Sequence, residues 1–141
     1  MNKIESIVLI PNTSKNIPHD RILSVLHRLR DGGCRIFTMP EFAGYLGFAH
    51  ELIHVIGERA ELAGIQAALV LGGDGSIIEA SHMLLGEDIP IIGMNFGHVG
   101  FLAELEMSEV HLLDALISGD YETDERMMLD AAVTDEGGRV R

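Results

Sequence analysis

LVLGGDGSIIEA, Leu69 to Ala80, runs three apolar residues into a turn of three glycines around one aspartate and out into a second apolar run. Gln66 to Leu71 is short, β-branched in part and uninterrupted by charge, which predicts a buried strand. SIIEASHMLL, residues 76–85, predicts a helix. The turn is therefore a strand-to-helix switch, where helix-start N–H groups favour anions and glycines let a ligand approach the backbone. It is neither familiar phosphate fingerprint. The P-loop lysine is absent, and a dinucleotide fingerprint would need glycine at Ile78. Asp74 must then do something a phosphate cradle does not. Ionised, it accepts a proton from a hydroxyl or orients Mg²⁺ with its water, and both suit phosphoryl transfer to an alcohol. The plainer reading is a βα turn in which Asp74 caps the helix.

Outward from this turn the same alternation repeats. Ile4 to Pro11 predicts a buried strand, and NTSKNIP a loop with Pro18 suited to a helix's first turn. Ile22, Leu23, Leu26 and Leu29 form an apolar stripe at helical spacing, stopped by Asp31-Gly32-Gly33. CRIFTM is a second strand, and a helix is expected over roughly 48–62, weakened by Gly57. Ile89 to Met94 is a strand leading into a second Gly-rich loop, NFGHVGF. Ser108 is expected to cap a helix from about 109 to 118, with Gly119 as its stop. Near-continuous apolar strands alternating with helices predict an α/β fold, an open and mostly parallel sheet with helices on both faces. Ligands in such sheets bind beyond the C-terminal strand ends, where both Gly-rich loops emerge.

The 141 residues fit one ordinary domain, and 47% hydrophobic residues are ample for a core. A net charge of −12 argues against nucleic acid and anionic membrane surfaces as partners. No Lys or Arg lies between Arg59 and Arg126, so backbone N–H groups, a metal or distant cations must hold any phosphate at the turn. The single cysteine, Cys34, excludes an intrachain disulfide and reads as a small core residue. Lys3 and Glu5 interrupt the N-terminal apolar run, and no run approaches a membrane span. A cytoplasmic protein is expected.

Three segments together resemble the N-terminal domain of NAD kinases: LVLGGDGSIIEA, IPIIGMNFGHVGFLAE and GDYETDERMMLDAAV. The family has a GGDG turn, a loop of the form N-x-G-x-x-G-F and a segment G-x-Y-x-x-x-x-R-M-x-L entering a second domain. The resemblance implies a phosphofructokinase-like α/β domain. It implies transfer of the γ-phosphoryl of ATP, or of polyphosphate, to the 2′-hydroxyl of the adenosine ribose of NAD with Mg²⁺. It makes Asp74 the catalytic base and Gly75 its neighbour at the NAD site. Ile78 and Phe101 fall near the adenine, and Gly72, Gly73 and Ser76 by the ATP phosphates. Asn95, Gly97, His98 and Gly100 belong to the second loop. Ser76 replaces the family's usual Thr. Many members carry an Arg in the helix after the turn, where this chain has Glu79 and His82. Lys15, past the first strand, is the candidate phosphate partner instead. NAD and ATP are the implied partners, and a homo-oligomer is expected at full length.

Residues 1–121 are expected to form the α/β domain, and 122–141 the start of a β segment crossing into a second domain. Tyr121 to Asp135 reads as a long strand, residues 135–138 as a hairpin turn, and RVR as a strand cut short, so a truncated chain is expected. No Asn is followed by Glu or Asp, the pair the family's second domain supplies, so this length alone is expected to be inactive. Two alternatives remain. GGDG turns also occur in diacylglycerol-type lipid kinases. His50-Glu51-Leu52-Ile53-His54 matches H-E-x-x-H, which on a helix would hold Zn²⁺ between His50 and His54 with Glu51 as base and Glu79 as a possible third ligand.

Overall fold

The computed structural model describes residues 3–96 and 105–123. The elements are β1 (Ser6–Pro11), α1 (His19–Asp31), β2 (Arg35–Thr38), β3 (His54–Val55), β4 (Ala67–Leu71), α2 (Asp74–Met83), β5 (Ile91–Asn95), β6 (Leu105–Glu106) and α3 (Leu113–Ser118). Among the described residues the strands form one sheet in the order β3-β2-β1-β4-β5-β6, with every pair parallel. The expected open parallel α/β architecture is present.

β1 and β4 are buried at every position, which is why their sequences show no alternation. They pair from Ile7↔Ala67 to Pro11↔Leu71 and form the centre of the core. α1 lays Ile22, Val25, Leu26 and Leu29 against it. It ends where Gly33 takes φ 86°, a conformation glycine adopts without a Cβ penalty. Gly32 lies at the junction of α1 with α3, since a Cβ there would stand 2.8 Å from Cδ1 of Ile117. Arg28 and Asp114 pair across the same junction at 2.9 Å.

The connections run one way from β1 to β2 and β3, and the other way from β4 to β5 and β6. Right-handed crossovers then send α1 and α2 to opposite faces. The chain therefore parts between β1 and β4, leaving a crevice at their C-terminal ends, the topological switch point where open α/β sheets bind ligands.

Three local expectations are corrected. No helix spans 48–62. A 3-10 turn covers Gly47–Leu52 and breaks helical geometry at Ala49, β3 follows, and a second 3-10 turn covers Arg59–Gly64. The β-branched run Ile53, Val55, Ile56 prefers a strand, and pairing Phe37↔His54 and Thr38↔Val55 satisfies its backbone at the sheet edge. Ser108 is not a helix cap. Glu106 caps a 3-10 turn, Met107–Leu112, in a reciprocal box with Glu109, and α3 begins only at Leu113. β6 was not anticipated, and two residues are too few to show a period. Gly119 does end α3, at φ 86°. The expected hairpin at 135–138 lies outside the described residues, as does most of the preceding strand. No helix among the described residues is long and apolar enough to cross a membrane.

Cys34 is buried at 4% exposure, as a core residue should be. Burial pushes its thiol up from 9.0 to about 11, against a smaller opposite pull from Arg35. The folded state thus holds the proton more tightly than the unfolded chain. The associated stability is intact below about pH 9 and is lost as pH rises towards 11. The difference between the denaturation midpoints of the parent and Cys34→Ala should be constant below about pH 9 and change above it, where the parent falls faster.

Candidate functional site

The switch-point crevice is built from three strand ends. Asn12 N–H donates to the Leu71 carbonyl at 2.8 Å, and Gly72 N–H to the Met94 carbonyl at 2.9 Å. These bonds carry the sheet pattern one residue beyond β1 and β4. Asn12, Gly72 and Asn95 consequently leave the sheet side by side. Asn95, the last residue of β5, is 7% exposed.

The three glycines of the turn differ in their reasons. At Gly72 a Cβ would stand 2.8 Å from Ser76 Cβ and 3.1 Å from Asn12 Cβ. Internal packing therefore demands glycine, and real Cβ contacts are not this close. At Gly73 and Gly75 a Cβ would meet no described atom within 4 Å, and neither has a positive φ. Nothing in the described chain requires glycine there. What both positions leave open is close access to the backbone.

Gly73 is the N-cap of α2, with φ −112° and ψ −161°, and no side chain caps the helix. The first-turn N–H groups are those an anion would meet. Asp74 is the first helical residue, so the plain capping role considered for it is not what this geometry gives. Its carboxylate sits half-buried in the first turn, where the helix dipole favours negative charge. Ser76 is buried beneath the turn. Ile78 is 49% exposed, one helical turn on from Gly75, and offers an apolar surface beside it.

Lys15 emerges on this same edge. Asn12 Oδ1 accepts bonds from the Ser14 N–H at 3.1 Å and the Ser14 hydroxyl at 2.6 Å. Lys15 N–H closes the turn onto the Asn12 carbonyl at 3.2 Å. Lys15 is half-buried, and its ammonium makes no ion pair with a described residue. Arg28 and Arg59, by contrast, are committed to Asp114 and Glu87. Gly72, Gly73, Asp74, Gly75, Ser76, Ile78, Asn95 and Lys15 thus share one edge. Gly97, His98, Gly100 and Phe101 lie outside the described residues.

Sequence reading passed over three residues of this edge. Asn12 is the turn's direct neighbour, and its position one residue past a wholly buried strand was the available signal. Arg21 is in the first turn of α1, which starts at this edge. Tyr45 reaches the Lys15 loop from a segment whose conformation was misread. A shallow cavity of about 150 Å³ also opens beyond β2 and β3, over Met39, Ile56 and Leu62, but no residue of the glycine turn lines it.

The zinc reading of HELIH fails on geometry. His50 lies in a 3-10 turn and His54 on β3, so no helical face carries both. His50 Nδ1 is 3.0 Å from the Gly47 carbonyl. His54 stands edge-on to Phe37 and 3.8 Å from Glu61. Glu79 is on α2, which packs on β4 and β5 while β3 is the far edge strand. Among the described residues no three His, Cys, Asp or Glu side chains converge as a metal site.

Comparison with known proteins gives a consistent result. A family model described as the ATP-NAD kinase N-terminal domain matches residues 7–121. The NAD kinase of Natranaerobius thermophilus is 36% identical over 137 residues, covering 92% of this chain and 45% of that protein. The NAD kinase of Corynebacterium efficiens is 42% identical over 134 residues, covering 92% of this chain and 42% of that protein. The chain spans less than half the length of these curated relatives. In fold it is similar to a yeast NADH kinase crystallised with NADH, with a TM-score of 0.71 at 16% identity over 84% of this chain and 39% of the other. None of these relatives is a lipid kinase, the alternative that the glycine turn alone had left open.

Proposed function

The chain belongs to the NAD kinase family, and we propose that the protein moves the γ-phosphoryl of ATP to the 2′-hydroxyl of the adenosine ribose of NAD, giving NADP. The observation that carries this reading is Asp74. It is a carboxylate in the first turn of α2, between two glycines that nothing in the described chain requires, at the switch point of the sheet.

Asp74 accepts the proton of the 2′-hydroxyl as that oxygen bonds to the γ-phosphorus. The bond from the γ-phosphorus to its bridging oxygen breaks, and ADP leaves. Positioning and charge stabilisation dominate such transfers. Gly72, Gly73 and Ser76, at the turn and the start of α2, take the ATP phosphates, and Gly75 lies beside Asp74 on the NAD side. Lys15 supplies positive charge from the β1–α1 loop, standing in for the Arg found after the turn in many members. Asn95 and the loop through Gly97, His98 and Gly100 line the side towards NAD, with Ile78 and Phe101 at the adenine. Magnesium fits this donor set, because it is commonly held by one or two carboxylates plus substrate phosphates. When bound it neutralises phosphate charge. Polyphosphate is a donor of the same chemistry.

Residues 1–121 are on this reading one wall of the site. Residues 122–141 begin a β segment crossing into a second domain that supplies the other wall, and the full-length protein is a homo-oligomer. A cytoplasmic setting accords with one free thiol kept reduced in the core. The test is made on the protein expressed from its own reading frame. With ATP, Mg²⁺ and NAD it should form NADP, read by an NADP-specific dehydrogenase, and parallel reactions with polyphosphate and NADH fix the donor and acceptor. ATP turnover without NADP or NADPH in any arm would overturn the reading.

A further inference from the structure

The β1–α1 loop is held from both sides. Towards β4 it rests on Gly72 through Asn12, whose Cβ lies 3.1 Å from where a Gly72 Cβ would be. On the other side it meets the segment after β2. The Tyr45 hydroxyl donates to the Lys15 carbonyl at 2.9 Å and accepts from the Ile17 N–H at 3.4 Å. One turn on, Phe48 stacks on His19 with ring centroids 3.8 Å apart and 5° between planes. Three contacts thus join residues 45–48 to 15–19.

The holding segment is itself anchored. Phe42 and Leu46, on either side of Tyr45, are 7% and 2% exposed, and Leu46 N–H donates to the Phe42 carbonyl at 3.0 Å. Thr38, the last residue of β2, bonds through its buried hydroxyl to the Leu9 carbonyl at 2.8 Å. The apolar flanks of Tyr45 are therefore fixed in the core, and its ring is half-buried with the hydroxyl on the loop. A Phe at position 45 would satisfy the packing equally well. The hydroxyl adds two bonds, both to the backbone immediately around Lys15.

We propose that Tyr45 is a positioning residue for phosphoryl transfer: its hydroxyl fixes the Lys15–Ile17 backbone against the glycine turn, so that the Lys15 ammonium is held where the donor's phosphates lie. This rests on the NAD kinase reading and adds a role for a residue that never touches substrate. Lys is a point charge on a four-carbon stem of limited reach, so the region its ammonium can sample is set by where its backbone is held. A misplacement of about 1 Å at a reacting centre is enough to lower the rate by up to ~10²-fold.

The experiment compares Tyr45→Phe, Lys15→Met and the double variant in the protein expressed from its own reading frame. Tyr45→Phe should raise the KM for ATP about five- to tenfold with the KM for NAD little changed, while the melting temperature falls by several degrees as two hydrogen bonds are lost. Lys15→Met should raise it further, and adding Tyr45→Phe to Lys15→Met should change nothing more, because the hydroxyl acts through the lysine. Fully additive effects, or a Tyr45→Phe enzyme equal to the parent while Lys15→Met is impaired, would overturn the role of Tyr45 and leave the NAD kinase reading intact. A silent Lys15→Met would overturn it too. Absence of NADP from the parent would instead remove the reading itself, and the inference with it.

Discussion

Asp74→Asn should lower NADP formation by about 10²-fold or more while nucleotide binding persists, as removal of a general base does. That loss corresponds to about 2.7 kcal/mol or more of barrier. Asn keeps the shape of the side chain and its hydrogen-bonding reach, but it does not take a proton from a hydroxyl at neutral pH. A melting curve separates this effect from a folding defect. The N-cap of α2 is Gly73, so no capping bond is lost when Asp74 changes. The helix-dipole share of a first-turn carboxylate is about 0.3–1 kcal/mol. Turnover, ATP affinity and melting temperature should be measured together. Turnover within a few-fold of the parent would leave Asp74 a helix-end role and end its assignment as the base.

The architecture was legible because its central strands carry strong signals. Ser6–Pro11 and Ala67–Leu71 are unbroken buried runs, and each of the helices after them starts at a recognisable loop. The glycine turn announced the strand-to-helix switch, and parallel pairing then placed Lys15, Asp74 and Asn95 on one edge without further assumption. What was not legible was the sheet periphery. β3 and β6 are two residues long, so their identity comes from the partner strand and not from any period of their own. HELIH illustrates the cost. Read on a presumed helix, its two histidines share a face, yet β3 pairing sends His54 to a strand and the metal geometry vanishes. Asn12 and Tyr45 were missed for a related reason. Their importance lies in contacts spanning 60 and 30 residues of sequence, and local pattern does not encode such contacts.

The two ends of the glycine turn should respond oppositely to the same one-carbon change. Gly72→Ala forces a Cβ to 2.8 Å from Ser76 Cβ and 3.1 Å from Asn12 Cβ. Both neighbours are rooted close to the backbone, so the turn itself must shift. Overpacking of this kind costs about 1–3 kcal/mol, several degrees of melting temperature in a domain of this size. Gly75→Ala meets nothing within 4 Å and has no positive φ to strain it. It also replaces glycine by alanine inside α2, which favours the helix by up to about 1 kcal/mol. The free protein should therefore be as stable as the parent or slightly more so. Yet if substrate lies against the backbone at Gly75, a methyl group there blocks the approach, and NADP formation should fall by about tenfold or more. Melting curves and kcat/KM for both variants decide the matter. A Gly75→Ala enzyme that is both stable and fully active would show that no ligand comes close to this backbone. Gly75 would then have lost its functional explanation, because the described packing supplies none.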